Sequence, residues 1–223
     1  MTAVAAVVLA GGRSSRMGRD KALISLGSET LIQRTCRVAI AGADAVYVVT
    51  SWGDRYRPLL PASVQFIPEH PLPELPETFP GPLVALVQAL SWFQNRPGGS
   101  PDWVLVLACD MPNLSATTLA TWRTELAAIP SPYLAYLPQR QQRWEPLCGF
   151  YRATALESLR QYAIASSGRS LQGWLHQHPV LPIAQVNDAM LANLNTPADL
   201  EQWQQRRPPP LPPDSHGPDI QDV

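Results

Sequence analysis

Apolar runs alternate with helically spaced segments over the first 130 residues. Residues 3–9 (AVAAVVL) hold Ala, Val and Leu without polar alternation, which is how a parallel strand covered on both faces reads. Residues 45–50 (AVYVVT) and 103–109 (WVLVLAC) share that pattern, and 65–67 make a short fourth strand. Between the strands, residues 30–41 carry Leu31, Thr35, Val38 and Ala41 near one face. Leu83, Leu86, Val87, Leu90 and Phe93 recur with the period of a helix that buries one side. Pro82 suits the first turn of that helix. Ser115 is placed to cap a third helix over 114–128. This order predicts an α/β fold, a three-layer sandwich around a mostly parallel twisted sheet.

After residue 130 the pattern loosens. Residues 133–137 and 147–151 read as two strands joined by a polar loop over 139–145. Helices are expected over 154–163, 170–176 and 196–206. Thr196 caps the last of these, Pro197 opens it, and Asp199 completes the spacing of a capping box. From Arg207 the chain reads RPPPLPPDSHGPDIQDV. Prolines remove backbone donors there, and too little apolar surface remains for a core. One domain over 1–206 and a disordered Pro-rich tail over 207–223 are expected.

Composition narrows the function classes. A net charge of −1 over 223 residues gives no reason to expect nucleic acid or an anionic membrane as partner. Cys36, Cys109 and Cys148 form no CxxC pair and no zinc spacing. They read as reduced thiols in a cytoplasmic protein. The apolar start has no Lys or Arg before it and is too short to span a bilayer, so no signal peptide or membrane segment is expected.

The chemistry is concentrated where the first strand ends, in LAGGRSSRMGRDKA. Gly11, Gly12 and Gly18 permit a close backbone approach. Ser14 and Ser15 add hydroxyl donors, and Arg13, Arg16, Arg19 and Lys21 add positive charge against Asp20 alone. A glycine loop after a buried strand, rich in donors and cations, suits a polyphosphate. It matches neither GxxxxGK[ST] nor GxGxxG, which sets aside the common ATPase and dehydrogenase loops. Asp110 follows WVLVLAC and should stand at the carboxyl edge of a central strand, where open α/β sheets bind ligands. A carboxylate there is placed to hold Mg²⁺ on a triphosphate, although Asp110 also suits a simple turn. Together these groups suit in-line attack on an α-phosphorus by positioning and charge neutralisation.

LAGGRSSRMGRDKALISLGSETLIQR resembles the opening of the molybdenum cofactor guanylyltransferase (MobA) family, which reads LAGGxSxRMGxDKAxL. FPGPLVAL (79–86), CDMPNL (109–114) and NLNTPADL (193–200) resemble three further family segments, so the likeness spans about residues 4–205. The resemblance implies a nucleotidyltransferase-type α/β sandwich. It implies GMP transfer from Mg-GTP to molybdenum-molybdopterin, yielding a guanine dinucleotide cofactor and pyrophosphate. By that likeness Leu9, Ala10, Gly11 and Gly12 contact the nucleotide, and Lys21 and Arg16 meet its phosphates. Asp110 holds both GTP and Mg²⁺, residues 81–83 lie by the nucleotide, and Asn193 and Asn195 face the site. Two positions depart from the pattern. Thr50 stands where the family often has Asn. The family's guanine-contacting Asp has its nearest counterpart in Glu69, whose carboxylate can accept from guanine N1–H and the 2-amino group.

The expected partners are GTP, molybdenum-molybdopterin, and proteins that deliver molybdopterin or accept the product; a monomer is expected. His70, Trp144, His176 and His178 are conceivable pterin contacts, though each also suits a surface or core role. The competing readings are a cytidylyltransferase or sugar-phosphate nucleotidyltransferase of the same fold, and a non-catalytic molybdopterin chaperone. The double glycine favours the guanylyl reading, and the intact Lys21 and Asp110 argue against a chaperone.

Overall fold

A computed structural model describes residues 2–11, 20–74, 81–165, 170–184 and 186–206. Its strands are β1 (Val4–Leu9), β2 (Ala45–Thr50), β3 (Gln65–Pro68), β4 (Trp103–Ala108), β5 (Ala135–Leu137), β6 (Gln139–Arg140), β7 (Arg143–Trp144), β8 (Cys148–Arg152) and β9 (Val180–Pro182). Its helices are α1 (Leu31–Gly42), α2 (Gly53–Tyr56), α3 (Pro82–Gln94), α4 (Ala116–Glu125), α5 (Leu156–Ala165), α6 (Leu171–Leu175) and α7 (Pro197–Arg206). Seven strands form one sheet in the order β3-β2-β1-β4-β8-β5-β9. β1 to β4 are mutually parallel, and β8 runs antiparallel to both β4 and β5.

Side-chain alternation along the central strands builds a core on each face. Ala6 and Val8 of β1, with Leu105 and Leu107 of β4, pack on the side holding Ile32, Val38 and Leu119. Ala5, Val7, Val104 and Val106 face Leu86, Val87, Leu90 and Leu159. Helices α1 and α4 therefore cover one face, and α3 and α5 cover the other. Local sequence sets the helix starts. Thr30 and Gln33 form a reciprocal capping box at α1. Ser115 accepts from Thr118 N–H at α4, and Pro82 opens α3.

Three features differ from expectation. The edge strand β9 pairs with β5 through only three residues, too short a run to show a period. The polar loop over 139–145 folds as the two-stranded β6–β7 hairpin. Its turn residues, Gln141 (φ 47°) and Gln142 (φ 62°), are left-handed without the Gly or Asn that normally marks such a turn. The segment expected as one helix over 114–128 is α4 followed by a 3₁₀ turn, Leu126–Ala128. The tail expected from 207 lies outside the described residues.

Topology defines the carboxyl edge that matters here. Leu9 stands opposite Ala108 and Val49, and Thr50 stands opposite Pro68. The residues that follow β1, β2, β3 and β4 therefore leave the sheet side by side. The reversed strand β8 places Cys148 opposite Leu107, so the chain just before β8 projects beyond the same edge.

Candidate nucleotide-binding site

A cleft of about 200 Å³ opens at this edge, lined by Leu9, Ala10 and Gly11 after β1, Lys21 from the loop's far end, and Cys109 and Asp110 after β4. Leu147 closes one side, where its carbonyl accepts from Ala108 N–H at 2.9 Å. The backbone at the loop's root is fixed. Ala10 N–H donates to Val49 O at 3.1 Å, and Ala10 O accepts from Thr50 Oγ1 at 2.9 Å. Thr50 Oγ1 in turn accepts from Trp52 N–H at 3.0 Å. The buried Thr50 hydroxyl thus fixes Ala10, just after β1.

Lys21 opens a 3₁₀ turn, Lys21–Leu23, capped by Asp20, whose Oδ1 accepts from Ala22 N–H at 3.1 Å. The other Asp20 oxygen accepts from the hydroxyl of the buried Tyr56 at 2.8 Å. Held this way, Lys21 Nζ donates to Asn195 Oδ1 at 2.9 Å and lies 3.4 Å from Asp110 Oδ2. The Lys21 and Asp110 side chains are 17% and 20% exposed, so the pair is reachable from the cleft but shielded from bulk water. Asn195 is placed by two anchors. Leu194 N–H donates to Asp110 O at 2.9 Å. The N–H groups of Asn195 and Thr196 both donate to Asp199 Oδ2 at 2.8 Å, and these bonds hold the Asp199 carboxyl below its usual range. Asn193 Oδ1 is buried with no hydrogen-bond partner among the described residues.

The chemistry of this set suits a hard cation that arrives with its own oxygen ligands. Asp110 Oδ2 and Asn195 Oδ1 flank the same ammonium and are both oxygen donors. No group of three or more His, Cys, Asp or Glu gathers among the described residues. Mg²⁺ needs only one or two protein carboxylates when substrate phosphates and water complete its octahedron. The residues present therefore fit Mg²⁺ carried in on a triphosphate.

Glu69 lies beside the cleft. A Cβ on Gly11 would stand 1.9 Å from Glu69 Oε2, so the carboxyl rests directly against the glycine backbone. Burial pushes the Glu69 carboxyl up to about 7. Burial likewise raises the Cys36 thiol to about 12 and drives Cys109, at the cleft wall, and Cys148 well above the ordinary thiol range, which keeps them protonated.

Of the sequence candidates, Leu9, Ala10, Gly11, Lys21 and Asp110 meet in one cleft, with Glu69 against Gly11. Gly12 and Arg16 lie outside the described residues. Sequence reasoning missed the Tyr56 and Thr50 supports, because nothing in SWGDRY or AVYVVT marks a hydroxyl aimed at the segment after the neighbouring strand.

Residues 6–180 match the model of the MobA-like NTP transferase domain. The chain belongs to the MobA-like NTP transferase family. A Nostoc protein named probable molybdenum cofactor guanylyltransferase is 41% identical over 200 residues, covering 90% of each chain. A Synechococcus elongatus protein of the same name is 40% identical over 200 residues, covering 90% of this chain and 96% of that one. The crystal structure of molybdopterin-guanine dinucleotide biosynthesis protein A from Archaeoglobus fulgidus superposes with a TM-score of 0.68 at 22% identity, covering 90% of this chain and 97% of that one. That likeness establishes the shared α/β nucleotidyltransferase fold. As a MobA-like enzyme the chain is a nucleotidyltransferase of molybdenum cofactor biosynthesis, and its Lys21–Asp110–Asn195 cluster lies at the sheet edge where ligands bind in such folds. Among the described residues no helix is long and apolar enough to cross a membrane.

Proposed function

We propose that this enzyme transfers GMP from Mg-GTP to molybdenum-molybdopterin in the cytoplasm, producing molybdopterin guanine dinucleotide and pyrophosphate. The observation that carries the reading is the Lys21 ammonium, held between Asp110 and Asn195 beside the open Ala10–Gly11 backbone. A phosphate oxygen of the acceptor forms the new bond to the α-phosphorus of GTP. The bond from that phosphorus to the bridging oxygen breaks, and pyrophosphate leaves with the electron pair. Lys21 binds the nucleotide phosphates, with Arg16 as a second cation on the departing pyrophosphate. The backbone of Leu9, Ala10, Gly11 and Gly12 lines the nucleotide's path. Asp110 holds Mg²⁺, which when bound neutralises phosphate charge and polarises the α-phosphoryl group. Asn195 keeps Lys21 in register. Glu69, when ionised, accepts from guanine N1–H and the 2-amino group.

The test supplies full-length protein with Mg²⁺, molybdopterin loaded with molybdenum, and each of the four nucleoside triphosphates in turn. GTP alone is expected to yield a dinucleotide product and pyrophosphate. Transfer from CTP in its place would move the enzyme to the cytidylyl class, and no transfer from any triphosphate would end the reading.

A further inference from the structure

A second cavity, of about 390 Å³, lies between the β6–β7 hairpin, α6 and the turn that begins at Asp188. Two connections join it to the nucleotide cleft. Glu145 and Pro146 line this cavity, while the next residue, Leu147, lines the cleft. Asp188 opens the 3₁₀ turn Asp188–Leu191, which leads within a few residues to Asn195 on Lys21. The hairpin precedes the reversed strand β8 and so overhangs the sheet edge on which Asp110 stands.

The lining is chemically specific. Arg140 is paired with Glu145 at 2.7 Å, which satisfies both. Arg143 is exposed and makes no ion pair among the described residues, leaving a guanidinium available to an anion. Asp188 supplies a carboxylate that accepts N–H groups. Gln172 donates its amide N–H to Trp144 O, which ties α6 to the hairpin, while its Oε1 is buried without a partner. Trp144 adds a half-buried aromatic wall. One anion site, two acceptors and an indole together match an acceptor with a phosphate and an aminopyrimidinone ring whose N–H edge donates. None of the three candidate histidines lines this cavity. His178 stacks on Trp174 at 4.4 Å, the His70 backbone is clasped by Gln88, and His176 ends α6.

We propose that this groove holds the pterin acceptor, with Arg143 on its anionic end and Asp188 and Gln172 Oε1 on the pterin's N–H edge. The assignment rests on the guanylyl-transfer reading above. Its test is steady-state kinetics of the full-length Arg143→Ala and Asp188→Asn variants with molybdenum-loaded molybdopterin and Mg-GTP, with thermal melts to confirm folding. Each substitution is expected to raise KM for molybdopterin about ten-fold, as loss of a charge-assisted contact does, while KM for GTP stays within about two-fold. Arg143→Lys is expected to recover part of the loss. An unchanged KM for molybdopterin in both folded variants would overturn the groove and leave guanylyl transfer standing. A wild-type enzyme that transfers no GMP would overturn both together.

Discussion

Tyr56 Oη donates to Asp20 Oδ2 at 2.8 Å, so the residue just before Lys21 is tethered to the short helix that follows β2. Burial, followed by this hydrogen bond, drives the Tyr56 hydroxyl far above its ordinary range and keeps it a permanent donor. Tyr56→Phe removes the tether and keeps the ring. The expected result is a stability loss of about 1.5–3 kcal/mol, as for one hydrogen bond to a charged group. KM for GTP should rise several-fold as Lys21 loses its fixed approach. Calorimetric melting and GTP kinetics check both.

Asp110 and Lys21 are expected to separate in their effects. Asp110→Ala should abolish GMP transfer with the fold intact, because Asn195 still accepts from Lys21 Nζ. Lys21→Ala should weaken Mg-GTP binding by about 1–3 kcal/mol, a normal range for a charge-assisted contact. Full activity of folded Asp110→Ala, or unchanged GTP affinity of Lys21→Ala by titration calorimetry, contradicts these assignments.

Gly11 is constrained by a neighbour. Gly11→Ala sets a methyl group against Glu69 Oε2 and forces the carboxyl out of its place. The expected cost is about 1–3 kcal/mol, as for overpacking elsewhere. Adding Glu69→Ala should recover most of that loss, a coupling that denaturant titration of the two single variants and the double variant measures directly.

Glu69 gives the enzyme opposed pH responses. Its carboxyl titrates near 7 in the folded chain against an ordinary 4.5, so the native state keeps a proton that the unfolded chain has lost. The Glu69 contribution to stability is therefore largest below about 4.5, falls as pH rises through the interval to about 7, and then levels off. That contribution changes by about 3 kcal/mol in all, at about 1.4 kcal/mol per pH unit. Glu69→Gln should flatten this slope, which denaturant titrations at several pH values will show. GTP affinity runs the other way and should rise toward pH 7 as the carboxylate that accepts from guanine forms.

Deleting residues 207–223 should leave both melting temperature and transfer rate close to those of the full chain. A large loss of either would show that the Pro-rich segment docks on the domain.

Much of the site was legible because its chemistry is local. The glycine loop sits directly after a doubly buried strand, and Asp110 directly after another, so pattern alone brought them to one edge. The Tyr56 support was not legible, and Asn195 was indicated only by the family resemblance. Tyr56 reaches Asp20 across 36 positions, and Asn195 reaches Lys21 across 174, distances over which no periodicity carries information. The hairpin was hidden for a different reason. Gln141 and Gln142 adopt left-handed backbone without a residue type that advertises it. β9 was hidden by length, since three residues ending in a proline look the same in a strand as in a loop.

The contact between Lys21 and Asp110 has a consequence for the order of events. The Lys21 ammonium and the Asp110 carboxylate partly neutralise one another. A lone divalent ion meets a carboxylate whose charge is answered, and a lone triphosphate meets an ammonium in the same condition. Only a cation and an anion entering together let each protein charge exchange its partner without leaving the other stranded. On the proposed assignment the pair is expected to couple the two ions, so that Mg²⁺ and GTP each bind more tightly when the other is present.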